Sequence, residues 1–99
     1  ASRQKNPRDP YTHSDLALYY AKQGQPDLAT QRLETAMALS PESAETLATA
    51  AEVYEHLGQR DKAVELANRS MELGMTRQRL EYSPDLVELL ADPRMQGSP

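Results

Sequence analysis

The residues able to do chemistry in this chain are few. His13, Ser14 and Asp15 are consecutive, but a nucleophile, its base and an orienting acid must converge in space. Neighbours at a helix start point in different directions, so these three are read as part of a helix start. His56 follows Glu52 by four residues, which places both on one helix face. That pair binds a metal only with further ligands, and the one other histidine, His13, lies in a different segment, so Glu52 and His56 are read as a helix-surface pair. The chain has no cysteine, which removes thiolate nucleophiles, disulfides and cysteine zinc sites. Its four glycines are scattered and form neither G-x-x-x-x-G-K nor G-x-G-x-x-G, so no loop cradles a phosphate. The chain is therefore read as non-enzymatic, with no cofactor and no metal.

The elements that would position any site are helices. Of 99 residues, 13 are Ala and 13 Leu, against three Val and no Ile, Phe or Trp. This composition favours helix and starves strands. Sliding the sequence by 34 residues places Ala17 on Ala51, Tyr20 on Tyr54, Gly24 on Gly58, Gln25 on Gln59, Asp27 on Asp61, Ala29 on Ala63 and Leu39 on Leu73. Each unit reads as two helices. Thr12 is expected to cap the first, with Asp15 three residues on as a capping box. Gly24 then ends that helix, Pro26 opens the second, and Ser40 with Pro41 breaks it. Ser43 offers the next N-cap, and Gly58 and Gly74 are the later stops. Apolar stripes agree with this division: Leu16, Ala17 and Tyr20 on one helix, Ala29, Leu33, Ala36 and Met37 on the next. In the second unit they recur as Leu47, Ala50, Ala51, Tyr54 and Leu57, then Ala63, Val64, Ala67 and Met71. Small alanines let the helices approach closely, and a connection of about three residues makes them antiparallel neighbours.

A 34-residue helix-turn-helix unit with this spacing resembles the tetratricopeptide repeat, W-x2-L-G-x2-Y, then A-x3-F, then P. Unit one supplies His13, Leu16, Ala17, Tyr20, Ala29, Leu33 and Pro41, and unit two supplies Leu47, Ala50, Ala51, Tyr54, Ala63 and Ala67. Met75 stands where Pro41 stood, so the second unit departs at its exit. The resemblance covers residues 11–75 and implies an all-α, right-handed helical array of two such units. A third unit does not follow, because the frame brings Pro84 to the middle of its first helix. A short helix is expected over residues 77–82, a second from Pro84 capped by Ser83, and another start at Asp92 and Pro93. Leu86, Leu89 and Leu90 give this piece an apolar face. The segment from Leu80 to Arg94 is similar to the closing segment of tetratricopeptide tails on bacterial signalling proteins. The expected organisation is a flexible arm at residues 1–9, units at 10–42 and 43–75, and a helical cap at 76–96.

The resemblance also implies a function, protein or peptide binding along the concave face lined by the first helix of each unit. It selects Tyr11, Ser14, Leu18, Ala21 and Lys22 in unit one and Glu45, Ala48, Glu52, Glu55 and His56 in unit two. Chaperone-binding members of the family hold an acidic C-terminus with Lys, Asn and Arg at such positions. Here only Lys22 fits that pattern, and Glu52 stands where Asn is needed. The three glutamates favour a basic or amide-rich segment over an acidic C-terminus. The alternative function is self-association, since two units are fewer than the roughly three usually needed for stability and a homodimer would complete the core. The net charge of -4 argues against nucleic-acid binding. No apolar run approaches the roughly 20 residues of a membrane span, so no membrane insertion is expected and the chain is read as cytoplasmic. It does not open with methionine and is expected to belong to a larger protein.

Overall fold

A computed structural model describes residues 10–95. The expected arm at residues 1–9 and the last expected cap residue, 96, lie outside them. Six α-helices follow in order: α1 (Pro10–Lys22), α2 (Pro26–Leu39), α3 (Ala44–His56), α4 (Arg60–Glu72), α5 (Arg77–Glu81) and α6 (Val87–Leu90). A 3-10 turn, Pro84–Leu86, precedes α6. The described residues contain no strand.

The helix ends follow local chemistry. The turn after α1 has Gly24 at φ +75°, and the turn after α3 has Gly58 at +77°. In both, the amide two residues beyond the last helical turn reaches back to a tyrosine carbonyl, Gln25 to Tyr20 and Gln59 to Tyr54, each at 2.9 Å. A left-handed residue is required there, which glycine adopts without the Cβ clash. Pro26 opens α2, and the Ser43 hydroxyl accepts the Thr46 amide to cap α3. Two expectations are corrected. The first helix starts at Pro10, two residues before Thr12, so Thr12 and Asp15 lie inside α1 and form no capping box; proline suits a first helical turn better than a capping hydroxyl farther in. No helix starts at Asp92 either, because its carboxylate accepts the Arg94 amide at 2.9 Å and closes a turn.

The alanines carry the packing. Ala17, Ala29, Ala51 and Ala63 are all fully buried, as are Leu33, Ala36 and Ala67. With only methyl groups between them, α1 lies tightly on α2 and α3 on α4. The hairpins then stack through α1 and α3, whereas α2 and α4 barely meet. The array therefore curves, with α1 and α3 on its inner side and a wedge of about 480 Å³ between α2 and α4, lined by Met37, Leu47 and Leu66.

The C-terminal end closes differently. Leu80, Leu86, Leu89, Leu90, Met75 and Met95 are all buried in the same core as the repeat alanines. Full burial of each leucine contributes up to about 1.5–3 kcal/mol. Proline at 84 prevents the preceding residue from staying helical, which breaks the segment into short pieces that fold over α3 and α4. Polar ties fix it there: Arg77 donates to the Leu90 carbonyl at 2.7 Å, Asn68 to the Arg94 carbonyl at 3.0 Å, and Arg94 pairs with Asp61 at 2.6 Å.

Candidate functional site

The inner face is built from α1, α3 and the first turn of the C-terminal segment. On α1, Tyr11 is exposed at 48%, Leu18 is half-buried against the core, and Lys22 projects from the last turn. Ser14 and Ala21 are buried, and the Ser14 hydroxyl donates to the Tyr11 carbonyl at 3.2 Å. These two positions are where α1 leans on α3, so they support the face from beneath.

On α3 the expected residues line up, and the chain's own C-terminal segment meets them. Glu45 pairs with Arg79 at 3.1 Å, with both side chains more than half exposed. The Glu52 carboxylate accepts the Ser83 hydroxyl. Glu55 holds Arg60 in a two-pronged pair at 2.8 and 2.5 Å, and Arg60 reaches on to Asp92 at 3.4 Å. His56 contacts one oxygen of Asp85 at 2.9 Å, while Lys22 from α1 contacts the other at 3.2 Å. Lys22 and His56 are 34 residues apart, so one carboxylate ties the same position of both units. Between α3 and α5 a cleft of about 140 Å³ remains. Ala48, Met75 and Leu86 line it, with Glu45, Glu52 and Arg79 among its polar residues.

The electrostatics follow from these contacts. Burial pushes the Glu52 carboxyl above its usual value, and nearby Asp85 adds to the effect, while the hydrogen bond from Ser83 opposes it. Burial also pushes Asp85 upward, but the hydrogen bonds from His56 and Lys22 outweigh it and hold that carboxyl below its usual value. Asp92 is held well below the carboxylate range by hydrogen bonds from the Arg94 side chain and amide, aided by Arg60. Arg60 and Arg94 rise in response to their carboxylate partners.

Three residues at this face escaped sequence reasoning: Arg79, Ser83 and Asp85. A signal existed for the first. Arg79 is 34 residues after Glu45 and 68 after Tyr11, so the repeat frame, continued one more turn, places it at the same position on the next element. Ser83 and Asp85 flank the proline that breaks the frame, and no periodicity reaches them. Among the described residues no group of three or more His, Asp or Glu side chains is placed to hold a metal ion, and no helix is long and apolar enough to cross a membrane.

Two stacked helical hairpins of equal length, with packing alanines at matching positions and an inner face of first helices, define a helical-repeat protein. A family model for the tetratricopeptide repeat matches residues 20–75, and the chain belongs to that family. No curated protein and no solved structure matches the chain. Tetratricopeptide repeats mediate protein–protein interaction and are not themselves enzymes, which sets the class of function for this domain.

Proposed function

We propose that the domain binds an extended segment of a partner protein across the inner face, and that it favours basic or amide-rich segments over acidic C-termini. Tyr11 and Leu18 on α1 and Ala48 on α3 supply apolar contact, while Lys22, Glu45, Glu52, Glu55 and His56 form the polar rim around the Ser14 support. The observation that carries the reading is the cleft beside α3, an apolar floor with two glutamates at its edge. The carboxylates differ in reach. Glu55 is committed to Arg60 and Glu52 is largely covered, whereas Glu45 is exposed and its pair with Arg79 is a surface pair. Exchanging Arg79 for a ligand cation costs little, since exposed pairs contribute about 0.2–1 kcal/mol. Glu45 is therefore the residue that tunes charge preference, and the apolar contacts supply affinity.

The test is fluorescence anisotropy with three sets of labelled peptides: basic, amide-rich, and ending in an acidic carboxyl terminus. The wild type is expected to bind the first two sets more tightly. Glu45→Lys is expected to weaken basic peptides by up to about fivefold, with an effect that shrinks as salt rises. Tighter binding of acidic peptides by the wild type would overturn the charge preference, and absence of binding to all three sets would overturn the reading.

A further inference from the structure

The two units present the same face to different surroundings. On α3, the side turned toward α2 carries Thr46, Ala50 and Val53, all fully buried. Thirty-four residues earlier, α1 carries Thr12, Leu16 and Tyr19 at these positions. There Leu16 is only half-buried and Tyr19 is 56% exposed. The adjoining side of α2 adds Leu28 and Leu39, both exposed. Thus Tyr19, Leu28 and Leu39, half of the six exposed large apolar side chains, share one edge of the array. In the second unit the corresponding edge is closed by helix packing.

We infer that this α1–α2 edge is a self-association surface, and that two copies of the chain meet there in a closed, two-fold dimer. Closure follows from the array's other end, which is covered by Leu80, Leu86 and Leu89. A head-to-tail filament needs two open ends, whereas this molecule has one, so the contact must be the same patch on both copies. The hairpin geometry supplies the register. Around the turn at Gly24, Tyr19 lies level with Leu28, and Asp15, one turn lower on α1, lies level with Arg32, one turn farther along α2. A two-fold axis parallel to the helices sets α1 of one copy against α2 of the other, antiparallel. Tyr19 then covers Leu28 of the second copy, and exposed Asp15 faces Arg32 of the second copy, both contacts occurring twice. Arg32 is half-buried, with one guanidinium nitrogen 3.2 Å from His13 Nδ1, so its stem is already positioned. The four helices form the same helix-on-helix layer that α2 and α3 make within the chain.

Sedimentation equilibrium over a wide concentration range tests this directly, with an expected mass of twice 11.1 kDa that does not grow further. Tyr19→Glu is expected to raise the dimer dissociation constant by about tenfold or more with an unchanged helical circular dichroism spectrum. Val87→Glu, at a residue equally apolar and 63% exposed on the cap, is expected to leave it unaltered. Asp15→Arg should weaken the dimer several-fold, and adding Arg32→Asp should restore it. A single-chain mass at every concentration, as a chain needing a different helical neighbour on this edge would give, overturns the inference. So does a mass that keeps rising, a dimer indifferent to Tyr19→Glu, or the absence of rescue by the double reversal.

Discussion

The two ends of this array are made from nearly the same sequence and meet different fates. At the C-terminal end, α4 turns its Ala67 and Ser70 side toward Met75, Leu80, Leu86, Leu89 and Met95, all buried with it. At the N-terminal end, Leu16, Tyr19, Leu28 and Leu39 have no such cover within the described residues. The repeat thus specifies the hairpin, while the residues outside the repeat specify where the array stops. The cap is also chemically unlike what it covers. It replaces one long helix by three short pieces and holds them with arginine and aspartate ties, because short helices have too little propensity to persist alone.

The sharpest way to break this contrast is to delete equivalent amounts of apolar volume at the two ends. Leu89→Ala removes a fully buried side chain and is expected to cost about 2–5 kcal/mol. In a domain this small, that is a large share of the total stability. Leu28→Ala, at a residue 40% exposed, is expected to stay within about 0.5 kcal/mol when measured at dilutions where the mass is that of one chain. Urea melts of both variants decide the matter. Similar costs at both ends would mean that the C-terminal segment is not part of the cooperative core.

The repeat is where the sequence was most informative. Identities such as Gly24/Gly58 and Ala29/Ala63 belong to positions where only one residue type works, a left-handed turn or a helix contact with no room for a side chain, so they mark structure directly. The start of α1 was misread because a threonine and an acid three residues apart mimic a cap, while Pro10 sets the first turn. The candidate site was legible in its α3 half, since groove positions follow from the period. Its partners were not, apart from Arg79. Ser83 and Asp85 reach Glu52, His56 and Lys22 only because Pro84 folds the segment back, and a long-range contact made by an aperiodic turn leaves no trace in spacing.

A second comparison sets the two equivalent turns side by side. Gly24 and Gly58 have nearly equal positive φ, and an added Cβ would meet nothing within 4 Å at either. The penalty for alanine is therefore purely the backbone one, about 1 kcal/mol, and it should be the same at both turns. Gly24→Ala and Gly58→Ala, compared by thermal melts, are expected to lower stability alike. Unequal losses would show that the turns differ in something beyond backbone conformation, and would weaken the view that the hairpins are copies distinguished only by their neighbours.

The smallest expected effect is on pH dependence, and it separates the ends because Glu52, Asp85 and Asp92 all lie where the cap meets the array. Asp85 and Asp92 titrate below their usual value of 3.8 in the folded chain. Their contribution is complete above that value and is lost as pH falls through their lower, folded-state values. Glu52 has the opposite sign. Its folded-state value lies above 4.5, so the folded chain takes up this proton first, and stability rises as pH falls from that raised value toward 4.5. The profile should therefore climb slightly on mild acidification and then fall below about 4, where Asp85 and Asp92 lose their pairs. Glu52→Gln keeps an acceptor for the Ser83 hydroxyl and removes the buried charge, so it should raise the melting temperature at pH 7 and abolish the climb. Asp85→Asn should lower the melting temperature at pH 7 and blunt the acid fall, since the contacts from Lys22 and His56 no longer reach a carboxylate. If both variants track the wild type from pH 7 to pH 3, these carboxylates do not hold the cap, and the apolar contacts of Leu80, Leu86 and Leu89 close that end unaided.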